Sequence, residues 1–163
     1  MNYINFDNIP VNHEWAFENV RSTEQWTHGY HRYPAKFLPN VVKKIIEDYV
    51  PNCEMIADLF AGCGTTLVEA KMHGKKSIGT DINPVARLIT KVKITPIEPG
   101  LLQLAYEKIV SAFDDYNEAN YCNIQKHVRL DYWFTPKQKA YIAFLYDCIG
   151  NIDITDDIKD FFY

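Results

Sequence analysis

Four residues stand at spacings that chemistry can use: Asp58, Gly62, Gly64 and Asp81. The glycines lie in "DLFAGCGTTLVEA", residues 58–70, between an apolar run and an amphipathic one. Glycines at such a junction let the backbone turn tightly and approach a ligand closely. Asp81 follows Gly64 by 17 residues, near the distance at which an acid ending a second strand accepts hydrogen bonds from two ribose hydroxyls. Asp58, ending a first strand, would sit beside the turn, where it can order the amides or meet a cationic ligand group. Either aspartate alone could be a strand-end residue capping the next helix; the four together point to a bound ligand.

The glycine pattern restricts which ligand. A dinucleotide fingerprint needs a third glycine, where helix and strand pack closest, and that position holds Leu67. A phosphate-binding P-loop fails as well, because no Gly-Lys-Ser/Thr follows. What remains is a turn suited to a nucleoside-bearing ligand without a phosphate, for which S-adenosylmethionine is the candidate. The histidines and cysteines lack metal-ligand spacing, so no metal site is expected.

The elements that must position these residues follow from periodicity. "PNVVKKIIEDYV", residues 39–50, repeats Val41, Val42, Ile45, Ile46, Tyr49 and Val50 at helical spacing, and Pro51 stops it. "EMIADLF" reads as a buried strand, and "TTLVEAKMH" as a helix closed by Gly74. "KKSIGTD" reads as a second strand, followed by "NPVARLITKVK" with Val85, Leu88, Ile89 and Val92 on one face. Helix, strand, helix, strand, helix within residues 39–93 implies parallel strands with crossovers, hence an α/β fold with a partial Rossmann-like, doubly wound parallel sheet. Beyond "TPIEPG" the chain turns helical: residues 101–116, an aromatic "YWF" at 132–134, residues 135–152 with Thr135 as cap, and a last helix opening at Thr155. That last helix ends on Phe161 and Phe162, side chains that a frayed terminus folds back on the core or that something further covers. The expected organisation is an N-terminal arm at 1–30, a cofactor-binding α/β part at 31–97 and a C-terminal helical extension at 98–163.

Bulk properties exclude other classes. The 163 residues, 47% hydrophobic, can bury one core, and no apolar run approaches the roughly 20 residues of a membrane span. The N-terminus lacks a signal-peptide layout and the four cysteines form no CxxC pair, so a cytoplasmic location with reduced thiols is expected. A net charge of −4 argues against the chain gripping a phosphate backbone unaided. Arg21, His28, His31, Arg32, Lys36, Lys43 and Lys44 give the N-terminal quarter a basic bias that could touch phosphates or form a solvated face.

"DLFAGCGTTLVEA...GKKSIGTDINPVA" resembles the cofactor-binding motif I and following acidic motif of DNA amino-methyltransferases, which methylate adenine N6 or cytosine N4. Leu59 and Cys63 replace the proline and serine of the commoner form. Upstream, "HRYPAKFLP" resembles the family's motif X, which closes over the methionine part of the cofactor. The resemblance covers residues 28–95, and "DYWF" and "DDIKDFF" extend it more loosely. It implies S-adenosyl-L-methionine held by Tyr33, Pro34, Ala35 and Lys36, with Phe37 beside them, and by Asp58, Phe60, Ala61, Gly62, Cys63, Gly64, Thr65, Thr66 and Asp81. Ile82 and Asn83 would lie on the adenine side.

The family's catalytic motif, Asp/Asn/Ser-Pro-Pro-Tyr/Phe, holds the exocyclic amine while its aromatic ring stacks on the extruded base. All eight prolines here are isolated, so no proline pair exists and no catalytic residue is assigned in this chain. "INP" at 82–84 and "DYWF" at 131–134 are the nearest substitutes; the first belongs with the adenine, and the second reads as a core aromatic cluster. No element rich in base-reading side chains stands out either. The chain is therefore expected to be the cofactor-binding part of a DNA methyltransferase, inactive alone, completed by a second chain or a C-terminal region carrying catalysis and target recognition. Two alternatives remain: part of an RNA amino-methyltransferase, or a non-catalytic fragment that binds S-adenosylmethionine or scaffolds a partner.

Overall fold

The computed structural model describes residues 10, 12–18, 20, 25–121 and 130–163 and divides the chain into two compact units, 1–94 and 95–163. Much of the expected 1–30 arm lies outside the described residues, Arg21 included.

The first unit is built around one helix. Helix α1 spans Pro39–Tyr49; strand β1, Met55–Asp58; helix α2, Thr65–Met72; strand β2, Lys76–Gly79; and helix α3, Pro84–Ile94. Pro39 takes the first turn of α1, with Leu38 before it in the extended conformation that a following proline imposes. Val42 and Ile46 are its buried contacts, contributing about 1.5–3 kcal/mol each. Strands β1 and β2 pair in parallel, Met55 opposite Lys76 through Asp58 opposite Gly79. Helix α2 connects them and packs on α1, α3 and both strands, so Thr65, Leu67, Val68, Glu69 and Ala70 are all buried. Such all-round burial marks a core helix rather than a surface one.

Two close approaches fix this arrangement. Gly64 caps α2 in the left-handed region at φ +79°, and a Cβ there would lie 2.8 Å from the Thr90 side chain of α3. Gly79 of β2 faces Leu67, whose Cδ1 would come within 2.9 Å of an added Cβ. The close helix–strand contact that a third glycine on the helix would permit is thus made from the strand side, with Leu67 as the bulky partner.

The strands depart from expectation. "EMIADLF" is not a buried strand: Met55 is 60% exposed, Leu59 69% and Phe60 89%. β1 and β2 form a two-stranded sheet among the described residues, so most of its surface has no layer over it. The face of α3 also differs, since Ala86, Ile89, Thr90 and Lys93 are buried and Val85 is 56% exposed.

In the second unit, helix α4 (Pro99–Ser111) is capped by Glu98, whose carboxylate accepts from the Gly100 and Leu101 amides at 2.9 Å each. Helix α5 spans Leu130–Trp133, α6 Pro136–Asn151 and α7 Asp156–Phe162. Thr135 and Gln138 form a reciprocal capping box at the start of α6. The core gathers Ala105, Ile109, Ala140, Phe144, Ile149 and Ile158. Phe144 also meets Phe113, Tyr116 and Tyr121 at centroid distances of 4.8, 5.0 and 5.5 Å. "DYWF" is not a core cluster: Tyr132 and Trp133 are 81% and 71% exposed on the short helix α5. Phe161 stays 36% exposed while Phe162 is half-buried.

Candidate functional site

The turn between β1 and α2 is ordered from three sides. Asp58 accepts from the Phe60 amide at 3.0 Å, bending the chain as it leaves the strand. The Ala61 amide donates to the Thr80 carbonyl at 2.9 Å, tying the turn to the end of β2. Thr90 donates its hydroxyl to the Gly62 carbonyl at 3.0 Å. Asp81 completes the frame: one carboxylate oxygen accepts from the Gly62 amide and the other from the Asn83 amide, both at 2.8 Å. Asn83 and, secondarily, Gly62 hold the Asp81 carboxyl below its ordinary range.

Over this turn runs the segment from Tyr30 to Leu38. It crosses through Ala35 in the left-handed region at φ +55°, and Thr65 donates its hydroxyl to the Phe37 carbonyl at 3.4 Å. Segment and turn enclose a cavity of about 350 Å³. Tyr33, Ala35, Lys36 and Phe37 form its upper side; Asp58, Phe60, Ala61, Gly62, Cys63, Thr65 and Thr66 form its floor. A side chain on Gly62 would point toward Tyr33 Cε1, 3.9 Å away, and occupy part of this space.

Not every predicted residue joins that cavity. Asp81 lines a neighbouring cavity of about 570 Å³ with Gly79, Thr80, Arg87 and Leu88; Ala61 lines both. Gly64 is buried beneath the turn against Thr90, and Pro34 is exposed. Asn83 orders the loop after β2, accepting from the Val85 amide at 3.0 Å, and Ile82 is 99% exposed.

Several basic residues of the N-terminal quarter are engaged within the chain. Lys44 pairs with Asp48 at 2.8 Å and Glu14 at 3.4 Å, and Lys43 lies 3.9 Å from Glu47. His28 is 2% exposed, its Nε2 2.8 Å from Glu69. Among the described residues no group of three or more His, Cys, Asp or Glu could hold a metal ion, and no helix is long and apolar enough to cross a membrane.

Periodicity missed two features of this neighbourhood: the His28–Glu69 pair and Lys93. Lys93 is 3% exposed, and its Nζ makes no hydrogen bond to any described residue. Burial lowers its pKa and the Lys36 charge adds to that, while Cys63 opposes them. A buried ammonium whose one polar neighbour is the weakly accepting Cys63 sulfur costs stability. Lys93→Met is therefore expected to stabilise the chain by about 1 kcal/mol in denaturant unfolding. The native amine releases its proton below the unfolded value of 10.5, so the native state holds fewer protons and stability rises with pH just beneath that value. Lys93→Met should remove this rise; an unchanged alkaline profile would refute the assignment.

Similarity to known proteins adds an independent line. Residues 4–92, more than half of the chain, match the family described as DNA methylase. The chain is 37% identical over 150 residues to the type II methyltransferase M.MvaI of Kocuria varians, covering 86% of this chain and 33% of that protein. It is 42% identical over 81 residues to the type II methyltransferase M.MjaII of Methanocaldococcus jannaschii, covering 48% and 15%. With the type II methyltransferase M.BsoBI of Geobacillus stearothermophilus it shares 36% over 88 residues, covering 52% and 17%. The chain thus spans about a third of the first of these relatives and under a fifth of the others. No solved structure matches it significantly.

Proposed function

Because the chain belongs to the DNA methylase family whose members methylate adenine N6 or cytosine N4, we propose that it is the cofactor-binding part of such an enzyme, holding S-adenosylmethionine at the turn between β1 and α2. The observation that carries this reading is the cavity of about 350 Å³ between that turn and the Tyr30–Leu38 segment, with Asp81 bonded to the turn. Its size is that of a small-molecule site, about 300–1,000 Å³. Its donors suit this ligand. Lys36 is the cation among the lining residues and matches a carboxylate; Asp58 matches an ammonium or sulfonium charge. Asp81 keeps acceptor capacity on both oxygens beyond its two amide bonds, enough for ribose hydroxyls in the neighbouring cavity.

In this reading the cofactor supplies an electrophilic methyl group and this chain supplies its orientation. Gly62 lets the backbone come close. Thr90 and Asp81 hold the two peptide units that flank Gly62, one by its carbonyl and the other by its amide, so the turn is preorganised. Tyr33 and Phe37 line the upper side of the cavity, where their rings can pack on a bound ligand. The two-stranded sheet is then the cofactor-side part of a doubly wound sheet. The residues that hold the target amine, and those that read the DNA, belong to a second chain or further region. The family match and the type II relatives favour DNA over RNA. We place the protein in the cytoplasm, where such modification acts.

Calorimetric titration tests the premise. The chain should bind S-adenosylmethionine and S-adenosylhomocysteine, each with one site, and should not bind NAD under the same conditions. Absence of binding to both overturns the proposal.

A further inference from the structure

The Tyr30–Leu38 segment must be held down if it is to form one side of the cofactor cavity, and what holds it lies outside that cavity. The segment begins directly after the 3-10 turn Trp26–Gly29. From that turn His28 enters the protein, 2% exposed, and its Nε2 meets Glu69 Oε1 at 2.8 Å. Glu69 lies on α2, the helix that starts at the glycine turn, and its side chain is 9% exposed. The pair thus joins the root of the covering segment to the helix beneath the cavity. Two further bonds relay the attachment: the Lys36 ammonium donates to the His28 carbonyl at 3.4 Å, and Thr65 donates to the Phe37 carbonyl at 3.4 Å.

We propose that the buried His28–Glu69 pair is a latch that positions the Tyr30–Leu38 segment over the cavity and so sets affinity for the aminocarboxypropyl end of the cofactor. The inference rests on the cofactor reading above. Its physical basis is that both polar groups satisfy each other out of water. Removing one costs the other its 2.8 Å partner, Glu69 keeping the looser approach of His73 Nδ1 at 3.9 Å, and the 3-10 turn, freed from α2, can lift and hydrate the group that remains. Lifting moves Lys36, the cation of the cavity, because its ammonium is bonded to the His28 carbonyl. Asp81, on the neighbouring cavity, is held by Gly62 and Asn83 and is not moved. The latch therefore acts on the carboxylate-bearing arm and leaves the nucleoside end alone. His28 and Glu69 touch no ligand in this scheme and are positioning residues.

The test compares two ligands on the native, full-length or assembled protein: S-adenosylhomocysteine, and 5′-methylthioadenosine, which keeps nucleoside and thioether but lacks the aminocarboxypropyl arm. His28→Leu and Glu69→Asp, which break the pair from opposite sides, should each weaken S-adenosylhomocysteine binding about tenfold while methylthioadenosine changes less than about twofold. His28→Gln, whose amide nitrogen reaches nearly the same point as the imidazole Nε2, should restore most of the loss. Thermal melting identifies variants that fail to fold, and either breaking variant suffices. Equal weakening of both ligands, unchanged affinity for both, or failure of His28→Gln to rescue overturns the latch. Failure of the unsubstituted protein to bind S-adenosylhomocysteine overturns the cofactor reading as well, so the two failures are distinguishable.

Discussion

Asp81→Ala is expected to weaken binding of S-adenosylmethionine and S-adenosylhomocysteine about a hundredfold and to lower the thermal melt modestly, since two backbone amides lose their acceptor. Two losses combine. The ribose hydroxyls lose an ionised acceptor, and the Gly62 amide loses the bond that fixes the turn. Asp81→Asn is expected to fall near Asp81→Ala rather than near the native residue. Both oxygens of Asp81 accept from backbone amides, Gly62 on one side and Asn83 on the other, and an asparagine would turn its own N–H toward one of those donors. The pH dependence follows from the same bonds. Asn83 and Gly62 keep the Asp81 carboxyl below 3.8, so its contribution is complete above that value and is lost as pH falls through the lower folded one. Calorimetry at descending pH should show affinity persisting through the ordinary carboxylate range. Binding by Asp81→Ala within threefold of the unsubstituted chain would remove Asp81 from the site.

The return of Asp81 to the glycine turn was legible in the sequence because it is set by a spacing along the chain. Glycine turn, helix and second strand have nearly fixed lengths, so the end of β2 returns beside the turn. The start of α6 was legible for a similar reason, since the Thr135 hydroxyl accepts from the Gln138 amide three residues on, whereas α4 opens at Pro99 under the Glu98 cap, two residues before the expected 101. Strand burial was not. "EMIADLF" has the composition of a covered strand, but what covers a strand is set by other elements, and the described residues give it one partner strand and one helix, α2. The face of α3 turned for a comparable reason. Gly64 admits Thr90 at a distance where no Cβ fits, and that contact carries Lys93 inward although its side chain reads as solvent-facing. His28 and Glu69 are 41 residues apart and share no local period, so only the folded chain reveals the pair. The expectation that His28 might touch phosphates fails on the same fact.

The isolated chain is expected to transfer no tritiated methyl group to DNA above background, even with the methyl donor bound as proposed. Methyl transfer requires nitrogen, carbon and sulfur in line, and orienting two bound reactants can supply several orders of magnitude in rate. Here the chain can orient only one of them. The family holds the target amine with the acid or amide of Asp/Asn/Ser-Pro-Pro-Tyr/Phe and stacks the extruded base on the aromatic ring, whereas the eight prolines of these 163 residues are all isolated. "INP" does not replace it, because Ile82 is 99% exposed and Asn83 is engaged with Asp81 and Val85. "DYWF" does not either, since the Asp131 carboxylate is bonded to Lys139 and Tyr132 and Trp133 face solvent. The match to a third of one type II methyltransferase leaves ample length for the missing machinery elsewhere. Adding the polypeptide that bears the proline pair should therefore raise methyl transfer from background to a measurable rate, and Asp81→Ala should abolish the gain. Turnover by the chain alone would mean that residues within it hold the amine, and the exposed side chains of Phe60, Tyr132 and Trp133 would be the first to substitute in finding them.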